Sequence, residues 1–191
     1  MSFDFETKIY AKLINEKTIV IDPKMQNILT ERGFGEPENE VLILDSFETL
    51  YLLYNNKLEL KKINKSIIFD ELIQKYIQKN DDTLIRFLLY RDLRTKGYAV
   101  KDGFGFGSDF RVYERGTYGL KDAKYIVFAF NEGTQQKIGK LYKNIVEITK
   151  MGKEPIAAVI ERRGEIIYYK INKMNFSENK TDLQMKDFEF N

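Results

Sequence analysis

Residues 90–113, with the sequence YRDLRTKGYAVKDGFGFGSDFRVY, decide the fold, because this one stretch predicts the end of a helix and two strands. Gly97 is typical of the residue that follows a last helical turn, where the backbone becomes left-handed. Residues 98–101 predict a strand, and three alternating glycines then predict a tight connection to a second strand at residues 110–113. The stretch therefore predicts a mixture of helix and sheet.

The second of these strands alternates between apolar and polar side chains. Because successive side chains of a strand point to opposite faces of the sheet, Phe110 and Val112 are predicted to face the core. The same alternation places Asp109, Arg111 and Tyr113 together on the opposite face. By this pattern alone, Tyr113 beside Arg111 is an ordinary half-buried tyrosine.

Downstream, residues 125–130 are apolar without a break, as expected for a central strand that is covered on both faces. Apolar residues at helical spacing over residues 138–148 predict an amphipathic helix that packs on this sheet. Residues 156–160 and 165–171 predict a strand pair. We therefore expect a central mixed sheet that is flanked by helices.

Upstream, residues 1–80 predict a smaller unit of short strands and helices. Its predicted elements are strands on either side of residues 15–17, a helix from Pro23 to Gly33, a strand at 41–44, a helix after a capping box of Asp45 and Glu48, a strand at 58–60 and a helix over 69–77. The polar stretch at residues 79–82 is the predicted boundary. The expected organisation is an α/β (α+β) protein with domains at 1–80 and 81–191.

Composition excludes several kinds of chemistry. The chain contains neither cysteine nor histidine, which excludes disulfides, thiol nucleophiles, Ser-His-Asp triads and zinc sites with sulfur or imidazole ligands. A net charge of +2 is too small to indicate a nucleic-acid partner by itself. No targeting segment and no run of 18 apolar residues is found, so we expect a cytoplasmic protein with no membrane partner.

Three motifs remain open to more than one interpretation. Asp109 followed by Asp122-Ala123-Lys124 matches the spacing with which metal-dependent nucleases hold magnesium, which gives one hypothesis. The paired arginines Arg162 and Arg163 either meet phosphates or form a solvated turn. The alternating glycines at 103, 105 and 107 join two strands, so a structural turn is favoured over a phosphate cradle.

The stretch at residues 90–113 strongly resembles the archaeal tRNA-intron endonuclease family. A weaker similarity at residues 29–35, LTERGFG, and 48–53, ETLYLL, extends the resemblance over nearly the whole chain. It implies a small N-terminal domain and a nuclease-like C-terminal domain, assembled as dimers or tetramers. It also implies a precursor tRNA substrate with a bulge-helix-bulge at the intron boundaries, cut without metal or cofactor into a 2′,3′-cyclic phosphate and a 5′-hydroxyl.

The family motif contains a tyrosine as general base, a histidine as general acid and a lysine that stabilises the charge of the phosphorane. The resemblance places the tyrosine at Tyr113 and the lysine at Lys153. The histidine is replaced, because Asp122 stands at its position. Val146 also stands where catalytic members carry an arginine that grips the bulge.

An aspartate of ordinary pKa, about 3.9, is protonated only about once in a thousand molecules at pH 7, although burial can raise that value. Our leading hypothesis is therefore a structural subunit that pairs with a histidine-containing catalytic paralogue in a heterotetramer. The alternative is an active subunit that uses Tyr113 and Lys153, with Asp122, Lys124 or a water as the acid.

The resemblance also predicts surfaces for RNA and for the partner subunit. The predicted RNA-binding residues are Arg111, Arg115, Arg162 and Arg163. A loop after the central strand carries carboxylates that dock into the opposite subunit in family members, and Glu132 is the only acid in that loop here. Phe188 and Phe190 resemble the family's C-terminal strand, which pairs two subunits.

Overall fold

The computed structural model describes residues 8–172 except Phe104, Phe106 and residues 134–137, and it describes Ile138 and Lys140 by their backbone alone. The elements of its first half are β1 (Ile9–Ile14), β2 (Lys17–Val20), α1 (Pro23–Glu31), β3 (Glu36–Glu38), β4 (Val41–Leu44), α2 (Ser46–Tyr54), β5 (Leu58–Lys62), β6 (Lys65–Ile67) and α3 (Phe69–Ile77). The elements of its second half are α4 (Thr83–Thr95), β7 (Ala99–Asp102), β8 (Phe110–Tyr113), β9 (Tyr125–Asn131), α5 (Ile138–Lys150), β10 (Glu154–Ile160) and β11 (Ile166–Lys170).

The strands form two mixed sheets. The first half builds a sheet of order β3-β4-β2-β1-β5-β6, in which β1 and β5 run parallel and the other neighbours run antiparallel. The second half builds a sheet of order β11-β10-β9-β8-β7, in which only β9 and β10 run parallel. The predicted α/β architecture, with a central mixed sheet flanked by helices, is confirmed.

Most of the predicted elements are present, including the capping box of α2, in which the side chains and backbone of Asp45 and Glu48 bond reciprocally. The short strands β3 and β6 were not predicted, because three residues are too few to show an alternation and β3 also contains a proline. The N-cap residue of α4, Asp82, makes no side-chain cap bond, and the hydroxyl of Thr83 donates to the backbone oxygen of Tyr76.

One hydrophobic core joins the two sheets. Helix α4 packs against α2 and α3 on one side and against the second sheet on the other. Its Tyr90 ring lies 5.6 Å from the ring of Phe110 on β8 and 6.3 Å from the ring of Phe47 on α2. The core side chains of β8 are Phe110 and Val112, each 1% exposed, as the alternation predicted. Helix α5 covers the other face of the same sheet through Ile148, which packs with Ile126 and Phe128 of β9.

A buried ion pair fixes the two halves against each other. The ammonium nitrogen of Lys101 on β7 lies 3.0 Å from a carboxylate oxygen of Glu48 on α2, and the two residues are only 3% and 1% exposed. Lys101 also donates to the backbone oxygen of Gly35 at 2.6 Å. Burial lowers the pKa of Lys101, but Glu48, Tyr118 and Glu36 together outweigh this effect, so the pKa of Lys101 is raised.

Glu48 is saturated with hydrogen bonds from the N-terminal half. Its second carboxylate oxygen accepts from the backbone nitrogen of Asp45 at 3.0 Å and from that of Gly35 at 2.9 Å. Because a buried carboxylate is tolerated only with such partners, Glu48 holds the start of α2, the loop at Gly35 and strand β7 in one arrangement. None of the described helices is long and apolar enough to cross a membrane.

We expect Glu48→Gln to lower the free energy of unfolding by up to about 3–5 kcal/mol in urea titrations, because the buried charge of Lys101 then keeps only the exposed carboxylate of Glu36, 3.3 Å away, as counterion. The double variant Glu48→Leu with Lys101→Met removes both charges and should lose less than the single variant. Lys17→Met is the control, since it breaks an exposed pair with Glu38 and should lose only a small fraction of that amount. Similar losses for Glu48→Gln and Lys17→Met would contradict the assigned role.

Candidate active site

Tyr113, Asp122 and Lys153 lie together in one pocket, although 40 residues separate the first from the last in the sequence. The pocket has a volume of about 190 Å³ and lies on the face of the second sheet that α5 covers. Its complete lining is Arg111, Tyr113, Asp122, Ala123, Ile126, Ile148, Met151 and Lys153. Three positions that were assigned by resemblance alone therefore share one cavity.

Lys153 is placed by the way in which α5 ends. Gly152 has a left-handed backbone with φ of +71° and donates its N–H to Thr149, while the N–H of Lys153 returns to the carbonyl of Ile148. This is a Schellman motif, which turns the chain sharply out of the helix. The Lys153 ammonium then donates to the backbone oxygen of Ala123 at 2.8 Å, which anchors its half-buried side chain beside Asp122.

Tyr113 is the last residue of β8 and is paired with Ala99 of β7. Its half-buried ring meets the ring of Tyr118 edge to face, with the centroids 4.9 Å apart and the planes at 76°. A second, more open pocket of about 560 Å³ adjoins the first, since Tyr113 and Asp122 line both. Its other lining residues are Tyr118, Gly119, Leu120 and Lys121.

Asp122 lies in the connection before β9 and is exposed to solvent. The pocket thus combines a phenol, two cationic side chains from Arg111 and Lys153, and a carboxylate. This set can bind a phosphate and accept a proton, but it offers no imidazole to donate one.

Asp109 does not join the residues of this face, and this part of the sequence prediction is wrong. Its carboxylate lies 3.0 Å from Arg86 of α4 and accepts a hydrogen bond from the backbone nitrogen of Ala129 at 2.7 Å. Asp109 precedes the first residue of β8, so the alternation of that strand does not govern it. Burial raises the pKa of Asp109. The proposed magnesium pair of Asp109 and Asp122 is therefore not assembled in one cavity.

Lys124, one of the acids considered for the active alternative, lines neither pocket. Its ammonium is hydrogen-bonded to the Glu114 carboxylate, which raises the pKa of Lys124 to about 12. A donor of that pKa is far from the range near neutrality in which general acids are efficient. In the part of the chain that the structure describes, no three acidic side chains form a group able to hold a metal ion.

The predicted RNA-binding arginines are divided among three places. Arg111 lines the pocket, with its Nε donating to the backbone oxygen of Asp102 at 3.0 Å, whereas the exposed Arg115 places its guanidinium 5.1 Å from the ring centre of Tyr98. Arg162 and Arg163 are exposed in the turn after β10. Because the seven residues of β10 span about 20 Å, that turn lies at the end of the sheet away from Lys153.

Of the residues of this chain that were predicted to contact a partner subunit, the structure describes only one. Glu132 is exposed, and its carboxylate accepts a hydrogen bond from the backbone nitrogen of Arg162 at 3.1 Å within the same chain. Phe188 and Phe190 lie outside the described residues.

Two residues of the site's surroundings were missed from the sequence. Tyr118 packs on Tyr113 but lies in an irregular connection where no periodic pattern indicates its position. Lys101 was expected only as a strand residue, because nothing local shows that a lysine has a buried carboxylate partner. Both depend on contacts with the N-terminal half, which a single strand's pattern cannot reveal.

Comparison with known proteins gives matches over both halves of the chain. Residues 83–168 match the family model described as tRNA intron endonuclease, catalytic C-terminal domain, and residues 9–73 match its N-terminal domain. The chain is similar to a tRNA-splicing endonuclease of Methanococcus maripaludis, with 33% identity over 84% of this chain and 92% of the relative. It is also similar to one of Thermococcus onnurineus, with 30% identity over 80% and 88% of the two chains. A third, from Methanococcoides burtonii, is 23% identical over 85% of this chain and 46% of its own length.

Proposed function

Because the chain belongs to the tRNA intron endonuclease family, we propose that it is the structural subunit of a heteromeric tRNA-splicing endonuclease that acts on precursor tRNA. The observation that carries this proposal is a pocket with Tyr113 and Lys153 in the family's positions but with Asp122 in place of the acid. The chain as a whole contains no histidine that could replace it.

The reaction expected of the family shows why the acid matters. The 2′-hydroxyl of a ribose loses its proton to the tyrosine and attacks the adjacent phosphorus, which forms the 2′,3′-cyclic phosphate. The lysine compensates the charge that accumulates on the phosphorane oxygens. The bond to the 5′ oxygen of the next nucleotide then breaks, and that oxygen takes a proton from the acid. Without a proton donor at the position of the family's histidine, the leaving oxygen departs as an alkoxide, which slows the step.

Neither of the two side chains considered as proton donors suits this step. Asp122 is exposed, and a carboxylate at that position adds repulsion of the phosphate where the family has an imidazole. Lys124 is hydrogen-bonded to Glu114 outside the pocket. Proton transfer typically contributes a factor of about 10²–10⁴ to an enzymatic rate, so its loss separates RNA binding from efficient cleavage.

The remaining groups of the pocket fit a role in RNA binding. Arg111 and Lys153 are half-buried and line the same cavity, where their charges are less screened than at the surface. A phosphate of the bulge can be held there by charge-assisted hydrogen bonds. The subunit thus contributes to substrate recognition, and the partner subunit catalyses the cleavage.

We expect Asp122→His to create or strongly increase cleavage of a bulge-helix-bulge RNA in the presence of EDTA. The substitution restores a donor of suitable pKa in a pocket that already contains Tyr113 and Lys153, so a gain of about tenfold or more is expected. Cleavage is measured by denaturing electrophoresis, with the cyclic phosphate identified on the product. Asp122→Asn is the matched control, since it removes the negative charge without adding a donor.

The gain should disappear in the double variant Asp122→His with Tyr113→Phe, which lacks the base. If Asp122→His bound the RNA as the unchanged chain does but cut no faster than Asp122→Asn, the missing acid would not explain the lack of cleavage. The proposed function would then lose its chemical basis.

The convergence of Tyr113 and Lys153 in one cavity also supports a second candidate, an active subunit whose proton donor is Asp122 or a water. In that case the unchanged chain cleaves the RNA in EDTA, and Asp122→Ala is inactive if the carboxyl is the donor. A magnesium-dependent nuclease has less support, because Asp109 is paired with Arg86 and does not line the cavity. It requires activity that EDTA abolishes.

For the partner, we propose a histidine-containing paralogue that pairs along β11. This strand is at the edge of its sheet, and within the described residues it pairs only with β10. Its Ile167 and Tyr169 side chains are 37% and 52% exposed. Edge strands of monomeric proteins usually avoid such exposed apolar side chains, because they favour pairing with another chain. An exposed apolar edge strand of this kind fits pairing with another chain.

Co-expression with such a paralogue from the same genome should yield a mixed tetramer, detected by native mass spectrometry. Ile167→Glu should reduce the mixed assembly, because it places a charge on the apolar surface of β11. The control Ile63→Glu changes an 89% exposed residue in the turn after β5 and should leave assembly intact. Exclusive self-association, or equal assembly of both variants, would overturn the assignment of partner or surface.

A further inference from the structure

Tyr118 lies in contact with two parts of the molecule that are distant in sequence. On one side its ring meets that of Tyr113 at a centroid distance of 4.9 Å. On another side it packs on the backbone of Gly33, where an added Cβ would come within 3.2 Å of two ring carbons. Gly33 follows helix α1 with a left-handed φ of +72°, which favours glycine, and an added Cβ would also come within 2.9 Å of the Cβ of Ala99.

A third contact comes from the buried ion pair. The ammonium of Lys101 lies 5.7 Å from the centre of the Tyr118 ring, within the range in which a cation and an aromatic ring attract each other. Lys101 cannot move freely, because Glu48 and the carbonyl of Gly35 hold it at 3.0 and 2.6 Å. The N-terminal half therefore fixes Tyr118 through Gly33 directly and through Lys101 indirectly.

We propose that Tyr118 is a positioning residue that sets the orientation of the Tyr113 phenol according to how the N-terminal half is seated on the second sheet. The proposal rests on the function proposed above only in treating Tyr113 as the residue that faces RNA in the pocket. Nothing in the family comparison or in the sequence pattern assigns a role to Tyr118.

The chemistry of Tyr118 fits positioning better than direct participation. Burial raises the pKa of Tyr118, so its phenol stays neutral at the pH of the reaction and does not compete with Tyr113 as a base. Its ring contributes shape, because an edge-to-face contact fixes the plane of the neighbouring ring. A displacement of about 1 Å of a reacting group can cost about 10²-fold in rate, which makes this restraint functionally important.

The test uses the full chain labelled with [ζ-¹³C]tyrosine, in which the signal of Tyr113 is identified by its loss in Tyr113→Phe. We expect Tyr118→Leu to shift and broaden the Tyr113 signal. Tyr118→Phe should restore it, because the ring contacts with Tyr113, Gly33 and Lys101 remain. Tyr10→Ala, at a tyrosine 62% exposed on β1, is the control and should leave the Tyr113 signal in place. An unchanged Tyr113 signal in Tyr118→Leu would overturn the proposal.

If Tyr118→Leu fails to fold in a thermal melt, Tyr118→Met takes its place, because it also removes the ring, and the same shift of the Tyr113 signal is expected. In the Asp122→His background, Tyr118→Leu should lower kcat at least tenfold with KM little changed, and Tyr118→Phe should stay within twofold. A loss in KM alone would contradict positioning. An inactive Asp122→His background would instead count against the proposed function, while the labelled tyrosine still decides the role of Tyr118.

Discussion

The buried pair of Glu48 and Lys101 is the constraint on which the rest of the structure depends. A charge removed from water is tolerated only when its partners are complete, and here one carboxylate joins the start of α2, the loop at Gly35 and strand β7. The two sheets are thereby held at one fixed relation, with the aromatic core around Tyr90 filling the space between them. The same lysine lies against Tyr118, so the constraint extends to the edge of the active-site pocket.

Local sequence patterns predicted the helices and strands that have one or both faces buried in the core. The alternation at Phe110 and Val112, the unbroken apolar strand β9 and the capping box at Asp45 all follow from side-chain periodicity or from backbone bonding near in sequence. The strands β3 and β6 were missed, because a strand of three residues is too short to show a period. Asp109 was misplaced for a related reason, since the alternation begins only at Phe110 and a distant arginine decides where its carboxylate lies.

The site depends both on local sequence signals and on tertiary contacts. Gly152 could be recognised as a helix terminator, and the Schellman motif that it forms is what turns Lys153 towards Ala123. The meeting of Lys153 with Tyr113 and Asp122, however, requires the parallel pairing of β9 with β10, which is a tertiary feature. Resemblance supplied these three positions, and the geometry supports their assignment to one pocket. Tyr118 had neither a local pattern nor a family position, and only its contacts reveal it.

The proposed function separates recognition of the RNA from its cleavage, because the pocket that holds Tyr113 and Lys153 contains no imidazole to donate a proton. This separation is tested by incubating the purified chain alone with a bulge-helix-bulge RNA in EDTA, with binding measured in parallel. We expect the RNA to bind and to stay uncut over times in which a histidine-containing family member cleaves it completely. Efficient cleavage by the unchanged chain, with a 2′,3′-cyclic phosphate on the product, would show that binding and cleavage are not separated in this subunit.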